Sequence, residues 1–260
     1  MIIKIISLKN STDRRDHISR QLSNLDLIYE FEDAIDATNY AKTILNFFSK
    51  RSEFRYGKSA KLGDMACSYS HYQVRKKFLN LSIPKSLMVL EDDAEILCNR
   101  DELFSIERVF KKSNFDILIL GFSKCDDSYE RHVNIINPIL QIFRINDKFS
   151  IGPRYLKSTS GTVGYLINHK SAKIMNKISL VSPYADDWDH FSKLGLKIAY
   201  ISPMIIRENT TKFLSTIDHN NHYLSQMKSK NVLVNFLIYI RKYIYGYLRK
   251  IFLLLKYYLK

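Results

Sequence analysis

Three consecutive carboxylates, Glu91, Asp92 and Asp93, follow the apolar run Leu87 to Leu90 in the stretch "SLMVLEDDAEI". Adjacent acids repel, and holding them at the end of a buried element is costly unless a cation or hydrogen-bond donors compensate. Alone, the triplet reads either as a solvated turn or as a cation platform. Glu91 and Asp93 stand at i and i+2, a spacing that at a strand-to-loop transition can turn two side chains toward one ion. Such hard oxygen ligands select Mg2+ or Mn2+. The same geometry serves nucleotide transfer, a phosphatase or a nuclease.

A second acidic group, Asp186, Asp187 and Asp189, surrounds the sole tryptophan, Trp188, in "PYADDWDHF". A carboxylate there can take a proton from an attacking hydroxyl, and Asp187 and Asp189 are the candidates for that base. The flat indole of Trp188 suits the face of a sugar. The segment reads also as a helix start, with an aspartate cap and a core tryptophan. Arg14 and Arg15 fall where a helix begins, and there an arginine fork and backbone amides can meet phosphate. Neighbours on a helix diverge, so only one of the two is expected to point inward. His71 can contact phosphate or satisfy a hydrogen bond within its helix, and His219 and His222 are weaker candidates for completing a metal shell. The glycines of "GTVGYLI" permit close backbone approach, by a ligand or by a packed strand.

The elements that must position these residues alternate along the chain. Ile2 to Leu8 reads as a strand, followed by a helix that Ser11 or Thr12 can cap and that runs to about Leu25. Residues 29–36 read as a second strand. "LGDMACSYSHYQVRKKFL" has helical spacing, and Pro84 punctuates before the strand at 87–90. "FDILILGF" at 115–122 is a nearly all-apolar strand. Residues 123–160 read as a long connection or small β excursion, "GTVGYLINHKSAKIMNKI" as strand then helix, and "LKIAYISPMIIRE" as one further strand. This alternation predicts an α/β fold with a mostly parallel central sheet covered on both faces. Ligands of such sheets bind beyond the carboxyl ends of the strands, where Glu91, Asp92 and Asp93 fall.

Taken together in order, "IISLKNSTDRRDHISRQL", "FEDAID", "LGDMACSYSHYQV", "LMVLEDDAEI", "GTVGYLINHKSAKIM" and "DDWDHF" resemble glycosyltransferase family 25, the lipopolysaccharide and lipooligosaccharide galactosyltransferase-like enzymes, over roughly residues 1–217. The resemblance implies a GT-A-like nucleotide-sugar-binding fold, a UDP-sugar donor (commonly UDP-galactose), a divalent metal at the acidic motif and inversion at the anomeric carbon. Glu91, Asp92 and Asp93 match the family's EDD, and Arg14 and Arg15 its first-helix pair. Asp33 matches the acid of its "DAxDG" segment, Ser70 and His71 its SH pair, and Asp186, Asp187 and Asp189 its DDWD around Trp188. The resemblance thus assigns Glu91 and Asp93 to Mn2+ or Mg2+. It assigns Arg14, Arg15, Asp33, Ser70, His71, Asp92, Asp186 and Trp188 to the donor. Three positions depart from the pattern and bear on donor and acceptor preference: Thr38 near the expected glycine, Asp64 in place of Glu, and Val163 where many members carry His.

With 260 residues, 46% hydrophobic and 13% aromatic, the chain is long enough for one substantial core. Cys67, Cys98 and Cys125 form no CxxC pair, which argues for free thiols in a reducing compartment and against a zinc site. The apolar run in MIIKIISLKN is too short for a secretory signal, so a cytoplasmic location is expected. The net charge is +14, and eight of those charges lie after Asp218, where no acid remains. That basic excess, in residues 218–260, belongs to a linker and a helix from about 231. With ~100° per residue, its Arg and Lys side chains share one arc and Leu233, Phe236, Leu237, Ile240, Ile244, Tyr247, Ile251, Leu254, Leu255 and Tyr258 share another. This amphipathic helical tail is expected to lie on the anionic inner leaflet rather than to bind nucleic acid, because its apolar arc is too large to leave in water. Packing on the catalytic domain or on a second subunit is the other outcome.

The expectation is therefore a catalytic domain at 1–217 and a membrane-associating tail at 218–260. The domain is expected to be an inverting hexosyltransferase, moving galactose from a UDP-sugar to a lipid-linked oligosaccharide acceptor at the cytoplasmic face. Two alternatives stand beside it: a metal-dependent phosphoesterase using the same carboxylates, and a catalytically inactive membrane-associated scaffold of the same fold.

Overall fold

The computed structural model describes residues 1–48, 60–81, 86–123, 127–155, 161–178, 182–213 and 232–258. The elements run β1 (Ile2–Ser7), α1 (Thr12–Asn24), β2 (Glu30–Asp33), α2 (Ala41–Phe47), α3 (Leu62–Leu79), β3 (Leu87–Glu91), β4 (Ala94–Ile96), α4 (Arg100–Lys112) and β5 (Ile117–Gly121). They continue as α5 (Asp127–Ile136), β6 (Phe143–Arg144), β7 (Ser150–Gly152), β8 (Gly164–Ile167), α6 (His169–Ile178), α7 (Trp188–Lys193), β9 (Ile198–Ser202), β10 (Ile206–Glu208) and α8 (Val232–Tyr258). His219, His222 and Cys125 lie outside the described residues.

The central sheet has the order β2-β1-β3-β8-β5-β9-β7-β6, with a small β10-β4 ribbon beside it. Strands β1, β2 and β3 pair in parallel, as do β5 and β9, while β8 runs antiparallel between β3 and β5. The sheet is thus mixed: β7 runs antiparallel to β9 and β6, and β8, the "GYLI" segment, is reversed between the two most apolar strands. Successive residues of β3 face opposite layers. Met88 and Leu90 pack with Ile18 and Leu22 of α1 and with Leu103, Ile106 and Phe110 of α4. Leu87 and Val89 pack with Val74 and Phe78 of α3, Ala172 and Met175 of α6, and Trp188 and Phe191 of α7. Period-2 strands between period-3.6 helices give the three layers, and each fully buried aliphatic contributes about 1.5–3 kcal/mol of hydrophobic stabilisation.

The structure differs from the sequence reading at several elements, and α2, β4 and α4 are not among those read there. Residues 123–160 contain α5 as well as the β6-β7 hairpin. The segment from Leu196 to Glu208 is two strands, because Pro203 lacks the N–H that a continuing ladder needs. Helix α4 carries an Asn99/Glu102 capping box, with the Asn99 side chain accepting from the Glu102 N–H at 2.9 Å.

Helix α8 docks against α5 through its small and basic arc. A Cβ at Gly246 would come within 1.9 Å of Ile135 O, so glycine permits the close approach. Arg249 Nη1 donates to Ile136 O at 2.5 Å, and Phe252 meets Tyr155 edge-on at 5.6 Å. The apolar arc, including Ile244, Tyr247 (65% exposed), Ile251, Leu255 and Tyr258 (68% exposed), faces outward. Among the described residues no helix is long and apolar enough to cross a membrane.

Candidate active site

The carboxyl ends of β1, β2 and β3 bring Ser7, Asp33 and Glu91 to one edge of the sheet. Because β8 is antiparallel, its beginning enters at that same edge, and the Glu91 N–H donates to Val163 O at 3.1 Å. The reversal of one strand therefore brings "GTVG" beside the acidic motif. Helix α1 starts over this edge, and both of its arginines reach down. Arg14 Nη1 donates to Asp92 Oδ1 and to Asp93 Oδ2, each at 2.9 Å. Arg15 donates to Ser7 O at 2.9 Å and to Asp33 Oδ1 at 2.5 Å, with its guanidinium 4.7 Å from the Phe31 ring. The expectation of one inward arginine is corrected: the two diverge, but one reaches the β3 side and the other the β1/β2 side of the same edge.

The acids sit in compensating surroundings. Ser7 Oγ donates to Asp92 Oδ2 at 2.7 Å, and Thr162 Oγ1 donates to Glu91 Oε1. Burial pushes the Glu91 carboxyl well above the usual range, opposed by the Thr162 bond and reinforced by the Asp92 and Asp186 charges. Burial likewise raises Asp93, the Glu91 charge adds to it, and Arg14 opposes it. Asp93 Oδ1 is buried without a hydrogen-bond partner. An acceptor oxygen left bare beside raised carboxylates is a site short of positive charge, and its hard oxygens fit the Mn2+ or Mg2+ that the resemblance implies. Next to it, a cleft of about 500 Å3 at the start of α1 is lined by Asn10, Ser11, Thr12, Phe213, the cations Arg14, Arg20 and Lys212, and the acids Asp13 and Asp16. Its three cations outnumber its two acids by one.

Residues 182–191 form the opposite side. The Gly161 N–H donates to Asp186 Oδ2 at 2.6 Å, and Trp188 Nε1–H lies 3.4 Å from Gly161 O. Gly161 has φ +96°, a conformation that favours glycine, and a Cβ there would strike Ser123. Gly164, by contrast, is packed on the Ile206 side chain, so strand packing accounts for it. Burial raises the Asp186 carboxyl, with Gly161 opposing and the Asp187 and Asp64 charges adding. Asp187 is the N-cap of α7, accepting from the His190 N–H at 3.4 Å and from Ser182 Oγ at 3.2 Å. Asp189 is 53% exposed and ion-paired with Lys193 one turn on.

Several sequence-selected residues lie inside the packed layers. Trp188 is 1% exposed, edge-on to Tyr165 at 5.5 Å and Phe191 at 5.9 Å, with no face open to a sugar. Its aromatic area is worth more in the core beneath α7. Ser70 Oγ donates to Ala66 O and accepts from the Ile35 N–H, so it ties α3 to the chain after β2. His71 is wholly buried. Burial, with the Arg75 charge adding, holds its imidazole down at about 3, so it is neutral, and its Nδ1 lies 2.8 Å from Tyr165 OH. Sequence reasoning missed Ser7 and Thr162. The signal for both was position: one ends a strand, and the other stands two residues before the strand paired with the acidic motif.

Residues 1–188 match glycosyltransferase family 25 (LPS biosynthesis protein), and the chain belongs to that family. It is similar to lipooligosaccharide biosynthesis protein lic2B of Haemophilus influenzae, 27% identical over 180 residues, covering 65% of this chain and 60% of that protein. It is also similar to procollagen galactosyltransferase 1-B of Xenopus laevis, 23% identical over 233 residues, covering 78% of this chain. The chain spans 60% of the first relative and 35% of the second. Among solved structures, the inositol-1-phosphate CTP transferase from T. maritima aligns with a TM-score of 0.40 at 13% identity, over 80% of this chain and 89% of that one. Mouse xyloside xylosyltransferase 1 aligns with a TM-score of 0.35 at 17% identity, over 75% and 62%.

Proposed function

We propose that this chain is an inverting glycosyltransferase with a GT-A-like catalytic domain, moving a hexose, galactose in the first instance, from a UDP-sugar onto a lipid-linked oligosaccharide. The observation that carries this reading is the Arg14-bridged pair Asp92 and Asp93 beside Glu91, at the carboxyl edge of the sheet and next to a cleft that Arg14, Arg20 and Lys212 help to line. Family membership and the galactosyltransferase named among its relatives support the reaction class and the sugar.

In this account Glu91 and Asp93 hold Mn2+ or Mg2+, which supplies positive charge for a leaving diphosphate when bound. Arg14 is the counter-ion of the acids before donor binding and swings its fork to phosphate oxygens afterwards. Arg15 anchors the ends of β1 and β2 through Ser7 and Asp33. Asp187 takes the acceptor hydroxyl proton as that oxygen attacks the face opposite the diphosphate. Asp189 points away from the sheet edge in an exposed ion pair with Lys193, and Asp186 accepts from the Gly161 N–H at 2.6 Å, so Asp187, half-buried at the start of α7, is the carboxylate taken as base.

The outward apolar arc of α8, flanked by cations in a segment without acids, supports seating on an anionic bilayer at the cytoplasmic face. Incubating the full chain with Mn2+, labelled UDP-galactose and truncated lipooligosaccharides tests the reaction. A radiolabelled lipid product with inverted anomeric configuration is expected; release of phosphate or nucleoside without an acceptor would favour a phosphoesterase instead.

A further inference from the structure

Cys67 and His71 are four residues apart on α3 and so share one face. Opposite them stands Glu91, the last residue of β3, and ligand atoms of the three lie within 4.8 Å of one another. His71 Nε2 is buried without a hydrogen-bond partner and lies 3.5 Å from Glu91 Oε1, farther than a good hydrogen bond. The other ring nitrogen is fixed by Tyr165 OH at 2.8 Å, the kind of outer contact that orients a ligating imidazole. Cys67 and Glu91 are both half-buried.

We propose that Cys67 Sγ, His71 Nε2 and one Glu91 carboxylate oxygen form a second metal site, selective for a thiophilic divalent ion of the Zn2+ class. A mixed sulfur, nitrogen and oxygen set disfavours Mg2+ and Mn2+, which prefer all-oxygen surroundings, and three protein ligands leave a fourth position open. The lack of a CxxC pair does not count against it, because only one ligand is a cysteine. Glu91 belongs to both sites, so a thiophilic ion withdraws it from the acidic platform and antagonises donor binding there.

The full chain, titrated with Co2+ as a spectroscopic probe, tests the site without any sugar nucleotide, and so independently of the transferase reading. Expected are a thiolate-to-cobalt charge-transfer band and visible bands of a tetrahedral ion, saturating near one equivalent and bleached by Zn2+. Cys67→Ser, nearly isosteric, abolishes the charge-transfer band, and His71→Asn weakens or abolishes the visible bands. Tyr165→Phe weakens binding about 10–100-fold. Cys98→Ser leaves all of it intact. Absence of the charge-transfer band in the wild-type chain, or its persistence in Cys67→Ser, overturns the proposal.

Discussion

Arg14 Nη1 stands 2.9 Å from Asp93 Oδ2, and the same nitrogen is 2.9 Å from Asp92 Oδ1. One guanidinium thus holds together two acids whose mutual repulsion would otherwise oppose the turn after β3.

Replacing Arg14 by Gln removes that counter-ion and leaves two largely buried acids facing each other. In EDTA the variant should lose about 1–3 kcal/mol of stability, the cost of an unsatisfied buried polar group. Mn2+ should restore more stability to Arg14→Gln than to the wild type. Urea titrations with EDTA and with Mn2+ make the comparison; equal Mn2+ effects in the two proteins would count against metal binding at these acids.

Asp187→Asn separates the base from the cap, since asparagine caps helices as well as aspartate does. Turnover should fall about 10²–10⁴-fold with the melting temperature unchanged. Asp189→Asn, at an exposed ion pair, should keep activity within about 3-fold. Steady-state kinetics beside thermal melts read both; full activity in Asp187→Asn removes it as the base.

Acid should loosen the start of the strand that carries the motif. Burial pushes Glu107 of α4 upward, but its bonds with Lys111 and Ser86, at the head of β3, outweigh this and hold the carboxyl below its ordinary value. A depressed carboxyl contributes stability that is present above its unfolded pKa, about 4.3, and is lost as pH falls below it. Urea midpoints should therefore decline on acidification below that value, and Glu107→Gln should flatten this limb. An unchanged acid limb in the variant would assign the decline to other carboxylates.

Liposome flotation should report the outward arc of α8. The full chain is expected to float with vesicles containing anionic lipid and to remain below with neutral ones. Tyr247→Glu with Ile251→Glu, both on the exposed arc and away from α5, should abolish flotation without shifting the melting temperature. Flotation retained by this double variant would mean that the arc does not face lipid.

Much of this was legible in the residues, and the failures share a cause. Helix α3 is read at its full extent, Leu62–Leu79, because apolar spacing and a following proline bound it. The acidic motif falls at a strand end because four apolar residues precede it. What the sequence hides is direction and burial. Nothing in "GYLI" distinguishes a parallel from an antiparallel strand, so the meeting of Thr162 with Glu91 is invisible until β8 is seen to run backwards. Trp188 looks like a sugar platform because its acidic neighbours suggest a surface. The first turn of α7 sends Asp189 outward and the indole into the core, while Asp186 and Asp187 stay half-buried before it. In α8 periodicity shows two arcs but not which one docks; Gly246 was the available signal, since a small residue on a helix face permits backbone contact.

The most direct test of the metal-and-donor platform is calorimetry of UDP binding to the full chain with Mn2+ and with EDTA, repeated for Asp93→Asn. The account predicts metal-linked binding, weakened at least ~10-fold, about 1.4 kcal/mol, by chelation and by the substitution alike. Equal UDP affinity with and without Mn2+, unchanged in Asp93→Asn, would contradict it.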